Sequence, residues 1–481
     1  MNFKQLLKKN FTSTFFSIIS ISAFAQTPCE NGFAGPYPCS GYDLVSEIDL
    51  DEMDASSGND SWGWTDPQDG KEYALVALDN GTAFIDISNP TSPIYLGKLP
   101  THTGSSIWRD VKTYQNHAYV VSDVNSGSHG MQVFDLTRLR NVTNPPEIFT
   151  EDAHYNEFGN AHNIVIHEET GYAYAVGTST YSGGGHYIDI SDPTNPVAAG
   201  GSSLGGYTHD AQVVIYDGPD SDYNDGTREL YFGSNEDRVV IMDVTDKDNP
   251  IMINEIMYAN DGYTHQGWLT EDHRYFILGD ETDELGYGFD TRTIVFDLLD
   301  MDATTPPRFE YYGPTEAIDH NVYVRGDRLY LSNYRAGLRI LDISDIANGN
   351  MVEEGYFDTY PANDSADFDG AWSVYPYFES GNIVISDINR GFILVKGPEL
   401  GVEELNTSGY SVSPNPATTN VTIKSQATPI TSVEIYNVLG QEVLNATFEN
   451  GLTRDINIAH LNTGMYLVKV NQETVSRLIK N

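Results

Sequence analysis

The chain runs to 481 residues, 40% hydrophobic and 12% aromatic, enough to bury large cores. Lys+Arg number 26 against Asp+Glu 69, a net charge of −43. Such a surface repels phosphate backbones, which argues against a nucleic-acid partner. Beyond the first residues no stretch approaches the roughly 18 apolar residues that span a bilayer.

Residues 1–25 read as a secretory signal peptide. Lys4, Lys8 and Lys9 form its positive end, Phe11–Ser22 its apolar segment, and Ala23-Phe24-Ala25 its cleavage site. The two cysteines, Cys29 and Cys39, follow closely. Export places them where thiols oxidise, so a disulfide is expected. Residues 26–41 are then an N-terminal segment tied by that bond. The run YDLVSEIDL, Tyr42–Leu50, has the character of a strand.

From there a repeat takes over. A short alternating run ends in Asp, followed two residues later by Ser or Thr in most copies: GTAFIDIS at Asp86, GMQVFDLT at Asp135, GHYIDIS at Asp189, RVVIMDVT at Asp243, RTIVFDLL at Asp297 and GLRILDIS at Asp342. The spacings are 49, 54, 54, 54 and 45 residues. A seventh copy, RGFILVKGP, has Lys396 at the Asp position. Repeats of roughly 40–50 residues built from short strands mark β-propeller blades. The fold class is therefore all-β: a seven-bladed β-propeller over residues 42–398, then a small C-terminal β-sandwich. The blades span Trp64–Lys98, Arg109–Phe149, the segment from AHNIVIHEE to NPVAAGG, His209–Glu255, His265–Tyr311, His320–Tyr356 and an incomplete seventh ending at Lys396. Tyr42–Leu50 resembles the outer strands PIYLGKL and MVEEGYF, and is expected to complete blade seven and close the ring. The recurrent Asp is read as turn chemistry, accepting backbone N–H groups, rather than catalysis.

Candidate functional residues come from the start of each channel strand. The pairs read Trp64-Thr65, Arg109-Asp110, His162-Asn163, His209-Asp210, His265-Gln266, His320-Asn321 and Trp372-Ser373. Four consecutive blades thus put an imidazole at one register, near one mouth of the channel. His162, His209, His265 and His320 are candidate ligands for copper, iron or zinc. They are also candidates for buried hydrogen-bonding residues that fix blade to blade, or for the lining of a site for a small organic or acidic ligand. Trp64, Arg109, Asp110, Asn163, Asp210, Gln266, Asn321 and Trp372 are the candidate ligand-binding residues of the same mouth, with Trp108 beside them. Two acidic runs, Asp217/Asp220/Asp222/Asp225 and Asp280/Glu281/Asp283/Glu284, are candidates for calcium but read as solvated loops, since neither follows a calcium-loop spacing. No nucleophile elbow, zinc-protease helix motif or phosphate-binding loop is present, so no catalytic residue is named.

After a linker at 399–408 the pattern changes to short strands and turns. The segment 409–481 resembles the C-terminal sorting domain of the type IX (Por) secretion system. The likeness rests on Pro414-Asn415-Pro416, Tyr436-Asn437 with Gly440-Gln441, Leu461-Asn462 with Gly464 and Tyr466, and Arg477-Leu478-Ile479-Lys480. It implies Sec export, handling by the type IX machinery, and an outer-membrane-surface or extracellular destination. The body resembles the choice-of-anchor B family, with repeats of the LVIVD type. That likeness runs from Cys29-Glu30-Asn31-Gly32 through WGWTDP, FGNAHNIVI, GYTHDAQ, GYTHQGWLTED and NYRAGLRILDISDIANGN to GAWSVYPYFESG. It implies a shared body with varied anchors and supplies no activity. The expected function is a binding or interaction module for a surface glycan or peptide. The alternatives are a metalloenzyme built on the four histidines and a structural surface protein without a ligand.

Overall fold

Short strands rich in Val, Ile, Tyr and Phe, punctuated by Asp-, Asn- and Gly-containing turns, make each repeat an antiparallel sheet. The computed structural model describes residues 26–124, 127–397, 410–413, 417–425, 428–437, 442–462, 464–471 and 473–480. The expected signal peptide at 1–25, the expected linker at 399–408, Pro414-Asn415-Pro416 and Gly440-Gln441 lie outside the described residues.

The chain divides into two compact units, Met1–Val395 and Lys396–Asn481. Among the described residues the first contains seven sheets. Blade three shows the plan: Asn163–His167, Tyr172–Val176, His186–Asp189 and Val197–Gly201, hydrogen-bonded in that order. The seven channel strands are Gly58–Thr65, Arg109–Tyr114, Asn163–His167, Asp210–Ile215, Thr264–Leu269, Asn321–Arg325 and Ala371–Tyr375. Each lies against the next, and Ala371–Tyr375 lies against Gly58–Thr65, so the ring is closed.

The strand Asp43–Asp49 pairs with Gly391–Lys396 as the fourth strand of blade seven. Its Val45 and Ile48 are buried in the apolar layer between blades seven and one, with Val76, Ile85 and Phe392. Just upstream, Tyr37–Ser40 adds to the outer edge of blade six, where Cys39 sits opposite Phe357. Cys39 is disulfide-bonded to Cys29. The front of the chain therefore covers one sheet edge and completes another.

All six recurrent aspartates make the expected turn. Asp86, Asp135, Asp189, Asp243, Asp297 and Asp342 each accept the backbone N–H two residues on, at 2.8–3.2 Å. Blade two departs from expectation. Its outer strand is Ala153–Tyr155, beyond Phe149, while Glu147–Ile148 pairs in parallel with Gly97 and Lys98 of blade one. Gly97 has φ +144°, and a Cβ there would lie 2.0 Å from the Glu147 carbonyl oxygen, so only glycine admits this crossing strand.

The second unit has a three-stranded sheet (Tyr410–Ser413, Asn420–Ser425, Thr453–Asn457) and a four-stranded one (Glu442–Thr447, Ser432–Asn437, Gly464–Val470, Glu473–Lys480). They share a core that includes Val421, Ile423, Ile435 and Val468.

Candidate functional site

The four histidines stand side by side. Ring centroids are 4.3 Å apart for His162–His209, 4.2 Å for His209–His265 and 4.2 Å for His265–His320. Each sits at the entry to its channel strand, so equal repeat geometry brings side chains about 50 residues apart into contact.

Backbone carbonyls fix the imidazoles. His209 Nδ1 donates to His265 O at 3.0 Å, His265 Nδ1 to His320 O at 3.1 Å, and His320 Nδ1 to Trp372 O at 2.6 Å. His162 Nδ1 lies 3.3 Å from Asp123 Oδ2. Burial holds His209, His265 and His320 well below the usual imidazole range, and the neighbouring rings add to the effect. Each of these three is thus a neutral ring with its proton on Nδ1 and a lone pair on Nε2, the form that binds metals.

Glu281 completes the arrangement. Its Oε2 is 3.9 Å from His265 Nε2 and its Oε1 3.9 Å from His320 Nε2. One donor atom from each of the three residues fits within a 4.8 Å cluster. A zinc-like ion sits about 2.0–2.2 Å from each ligand, so such separations can be bridged with small inward adjustment. Burial pushes the Glu281 carboxyl up to about 7, while the Tyr334 hydroxyl, donating to Oε1 at 2.7 Å, works the other way. Two imidazoles and one carboxylate suit zinc or iron and leave coordination positions open. The sequence offered Glu281 only as part of an acidic run. Its neighbours diverge from it: Asp283 and Asp280 face the buried Arg292, and Asp283–Tyr287 forms a short helix instead of the expected loop.

Most other candidates bond blade to blade. Asp110 Oδ2 accepts Ile164 N–H, Asn163 Nδ2 donates to His209 O, and Gln266 Oε1 accepts Val322 N–H. Asn321 Nδ2 reaches Ser373 Oγ at 3.4 Å. Asp210 Oδ1 accepts Ala211 N–H. The buried Arg109 guanidinium bonds Leu78 O, Thr101 Oγ1 and His129 Nε2. Trp372 packs its ring 4.8 Å from His320, and Trp108 lies 6.4 Å from His162.

Trp64 requires correction. It is not at the mouth: it stacks on Tyr73 in the core between blades one and two, and its Nε1 donates to Asn116. Blade one meets the register five residues earlier, with Asn59-Asp60 in place of Trp64-Thr65, and Asp60 shares Lys112 with Asp110. The adjacent Asn59 is fully buried, with both amide atoms lacking a partner. The strand runs Gly58–Thr65, so Trp64-Thr65 stands at its far end rather than at its start.

Three of the four acids of the other run serve local structure. Asp220 accepts Asp222 N–H and Met301 N–H, Asp225 caps Thr227, and Asp217 pairs with His273. Asp222 is exposed. A further cluster joins His102, Glu151 and His154, with His102 Nδ1 3.0 Å from Glu151 Oε1. There His154 Nε2 already donates to His129 O at 2.7 Å.

Comparison with known proteins fits this organisation. Residues 411–481 match the secretion system C-terminal sorting domain, and residues 71–101 and 319–359 match the LVIVD repeat. The chain thus carries LVIVD repeats and ends in a type IX sorting domain, which directs it to the cell surface or extracellular space. No helix among the described residues is long and apolar enough to cross a membrane. No curated protein matches. A functionally unknown protein from Desulfotomaculum acetoxidans is similar at 13% identity and TM-score 0.45, over 64% of this chain and 87% of that one. A protein from Lactobacillus plantarum is similar at 12% identity and TM-score 0.44, over 83% of this chain and 98% of that one.

Proposed function

We propose that this exported propeller binds a divalent transition-metal ion at the histidine mouth and uses it to hold a ligand from outside the cell. His265, His320 and Glu281 are the ligands, and His209 and His162 extend the imidazole wall beside them. The observation that carries the reading is the pair of 3.9 Å approaches of one carboxylate to two neutral Nε2 atoms. Fixing Nδ1 on a carbonyl of the next blade sets the tautomer and aims the lone pair, the usual outer support of a metal-binding histidine. A glycan or peptide supplying an oxygen donor fits the open positions.

The three-ligand set also favours a second reading, a metalloenzyme. Structural zinc sites usually close with four protein ligands, and catalytic ones keep a position open. Metal analysis of protein purified without nickel affinity tests the shared premise. One equivalent of zinc, iron or copper is expected, lost in a His265→Ala/His320→Ala variant. A folded protein that takes up no metal from excess zinc, iron or copper sinks both readings. Hydrolysis or oxidation of a screened glycan or peptide by the loaded protein, absent in the double variant, selects the enzyme.

A further inference from the structure

The other end of the channel holds a cavity of about 460 Å³, lined by residues from all seven channel strands or the turns that follow them. Its wall is aromatic: Trp62, Trp268, Tyr323, Tyr375 and Tyr377. These rings meet edge to face or tilted, with Trp62–Tyr375 and Trp268–Tyr323 centroids 5.1 Å apart. Such contacts leave ring faces to present to a guest.

The charge inside is lopsided. Among the residues lining the cavity Lys112 is the one cation, against Asp210, Glu168 and Glu271. Lys112 is already matched, 2.5 Å from Asp110 and 3.3 Å from Asp60. Its ammonium also sits 4.7 Å over the Trp62 ring, so this wall already receives one alkylammonium. Glu168 and Glu271 are exposed, and Glu271 is steadied by the Gly326 N–H at 2.6 Å. The Tyr377 hydroxyl is buried without a hydrogen-bond partner. A buried orphan hydroxyl is costly unless something pairs with it.

We propose that this cavity is a binding site for a small alkylammonium cation, a quaternary amine or a diamine. Aromatic faces take the ammonium head, and Glu168 and Glu271 attract it. The chain's charge of −43 draws cations to the molecule and speeds their arrival. Anions are repelled by the same carboxylates. The site shares no side chain with the proposed metal ligands and does not depend on them.

Choline and cadaverine are the probes, with cellobiose as the neutral comparator. Trp62 and Trp268 report binding by fluorescence, and titration calorimetry gives the affinity. At least one of the two cations is expected to bind saturably and more weakly as salt rises. Trp268→Ala should weaken it roughly 5–30-fold, the range of a desolvated cation–π contact. Glu168→Gln/Glu271→Gln alters only exposed carboxylates, keeps the fold, and should weaken binding and flatten its salt dependence. His265→Ala/His320→Ala should leave cation binding unchanged, which separates this site from the metal. The proposal fails if neither cation saturates. It also fails if cellobiose binds as tightly, or if the double Gln variant binds the cation as the parent does.

Discussion

His265 donates its Nδ1 proton to the carbonyl of His320, one blade further on, at 3.1 Å. The bond ties two blades together and leaves Nε2 aimed at Glu281. One ring therefore serves fold and site through different nitrogens. The two roles separate by substitution. Asn places an amide donor near the Nδ1 position but offers nothing at Nε2. His265→Asn should keep melting close to the parent while abolishing metal uptake. His265→Leu leaves the His320 carbonyl without its donor in a buried place and should cost about 1–3 kcal/mol as well. Thermal melts alongside metal analysis check both. Equal loss of stability in the two variants would contradict the division of roles.

The repeated aspartates allow a cleaner test of folding chemistry. Asp189 Oδ1 accepts Ser191 N–H at 2.9 Å at the end of its strand. Asp189→Asn keeps an acceptor and should change stability little. Asp189→Ala removes it and should cost about 1 kcal/mol in denaturant titration. Asp342 does the same for Ser344 at 2.8 Å and should follow the same order. If Asn and Ala cost the same at both positions, the turn bond is not what the repeat retains Asp for.

Strands, turns and ring closure were legible in the sequence because they are local or periodic. The alternation in GHYIDIS, the Asp at its end and the likeness of Tyr42–Leu50 to outer strands need only near neighbours. The histidine register was legible because a repeat carries it. Glu281 was not, since it follows a second strand rather than a channel strand and joins His265 and His320 only after two blades pack. Trp64 was misplaced because GNDSWGWT carries no imidazole to mark the register and its strand starts at Gly58, well before the Trp64-Thr65 pair. The outer strand of blade two was missed because Glu147–Ile148 leaves its own sheet for blade one's. The aromatic cavity was invisible because each strand or its following turn contributes only one to four of its lining residues.

Closure by the front of the chain predicts where the ring is weakest. Ile48 is 4% exposed and packs between blades seven and one. Ile48→Asp buries a charge in an apolar layer and should cost at least about 3 kcal/mol, with exposure of the strand edges and aggregation. The exposed Asp49→Ala should cost little. Cys29→Ser/Cys39→Ser opens a loop with sequence separation 10 and should cost about 2–3 kcal/mol. Light scattering during a thermal ramp reads the first effect, denaturant midpoints the second. A soluble Ile48→Asp protein with unchanged melting would mean that the borrowed strand does not hold the ring.

Two histidines outside the channel set an acid limit. Burial holds His186 down to about 4, with the hydroxyls of Tyr155 and Thr180 at its two nitrogens. Burial and the adjacent Arg109 guanidinium hold His129 down to about 3, with His102 and His154 also facing it. In the unfolded chain each takes up a proton near pH 6.5, whereas in the fold each stays neutral until far lower pH. The unfolded state then binds more protons, so stability falls as pH drops below about 6.5. The loss continues until the fold itself accepts a proton, near 4 for His186 and near 3 for His129. Each imidazole contributes about 1.4 kcal/mol per pH unit within its window. Carboxylates whose burial acts in the opposite sense are common to parent and variant, so comparing the two isolates one ring. His186→Gln should be less stable than the parent at pH 7.5, and the gap should narrow steadily between pH 6.5 and 4.5. A gap that stays constant across that range would mean His186 takes up its proton without disturbing the fold.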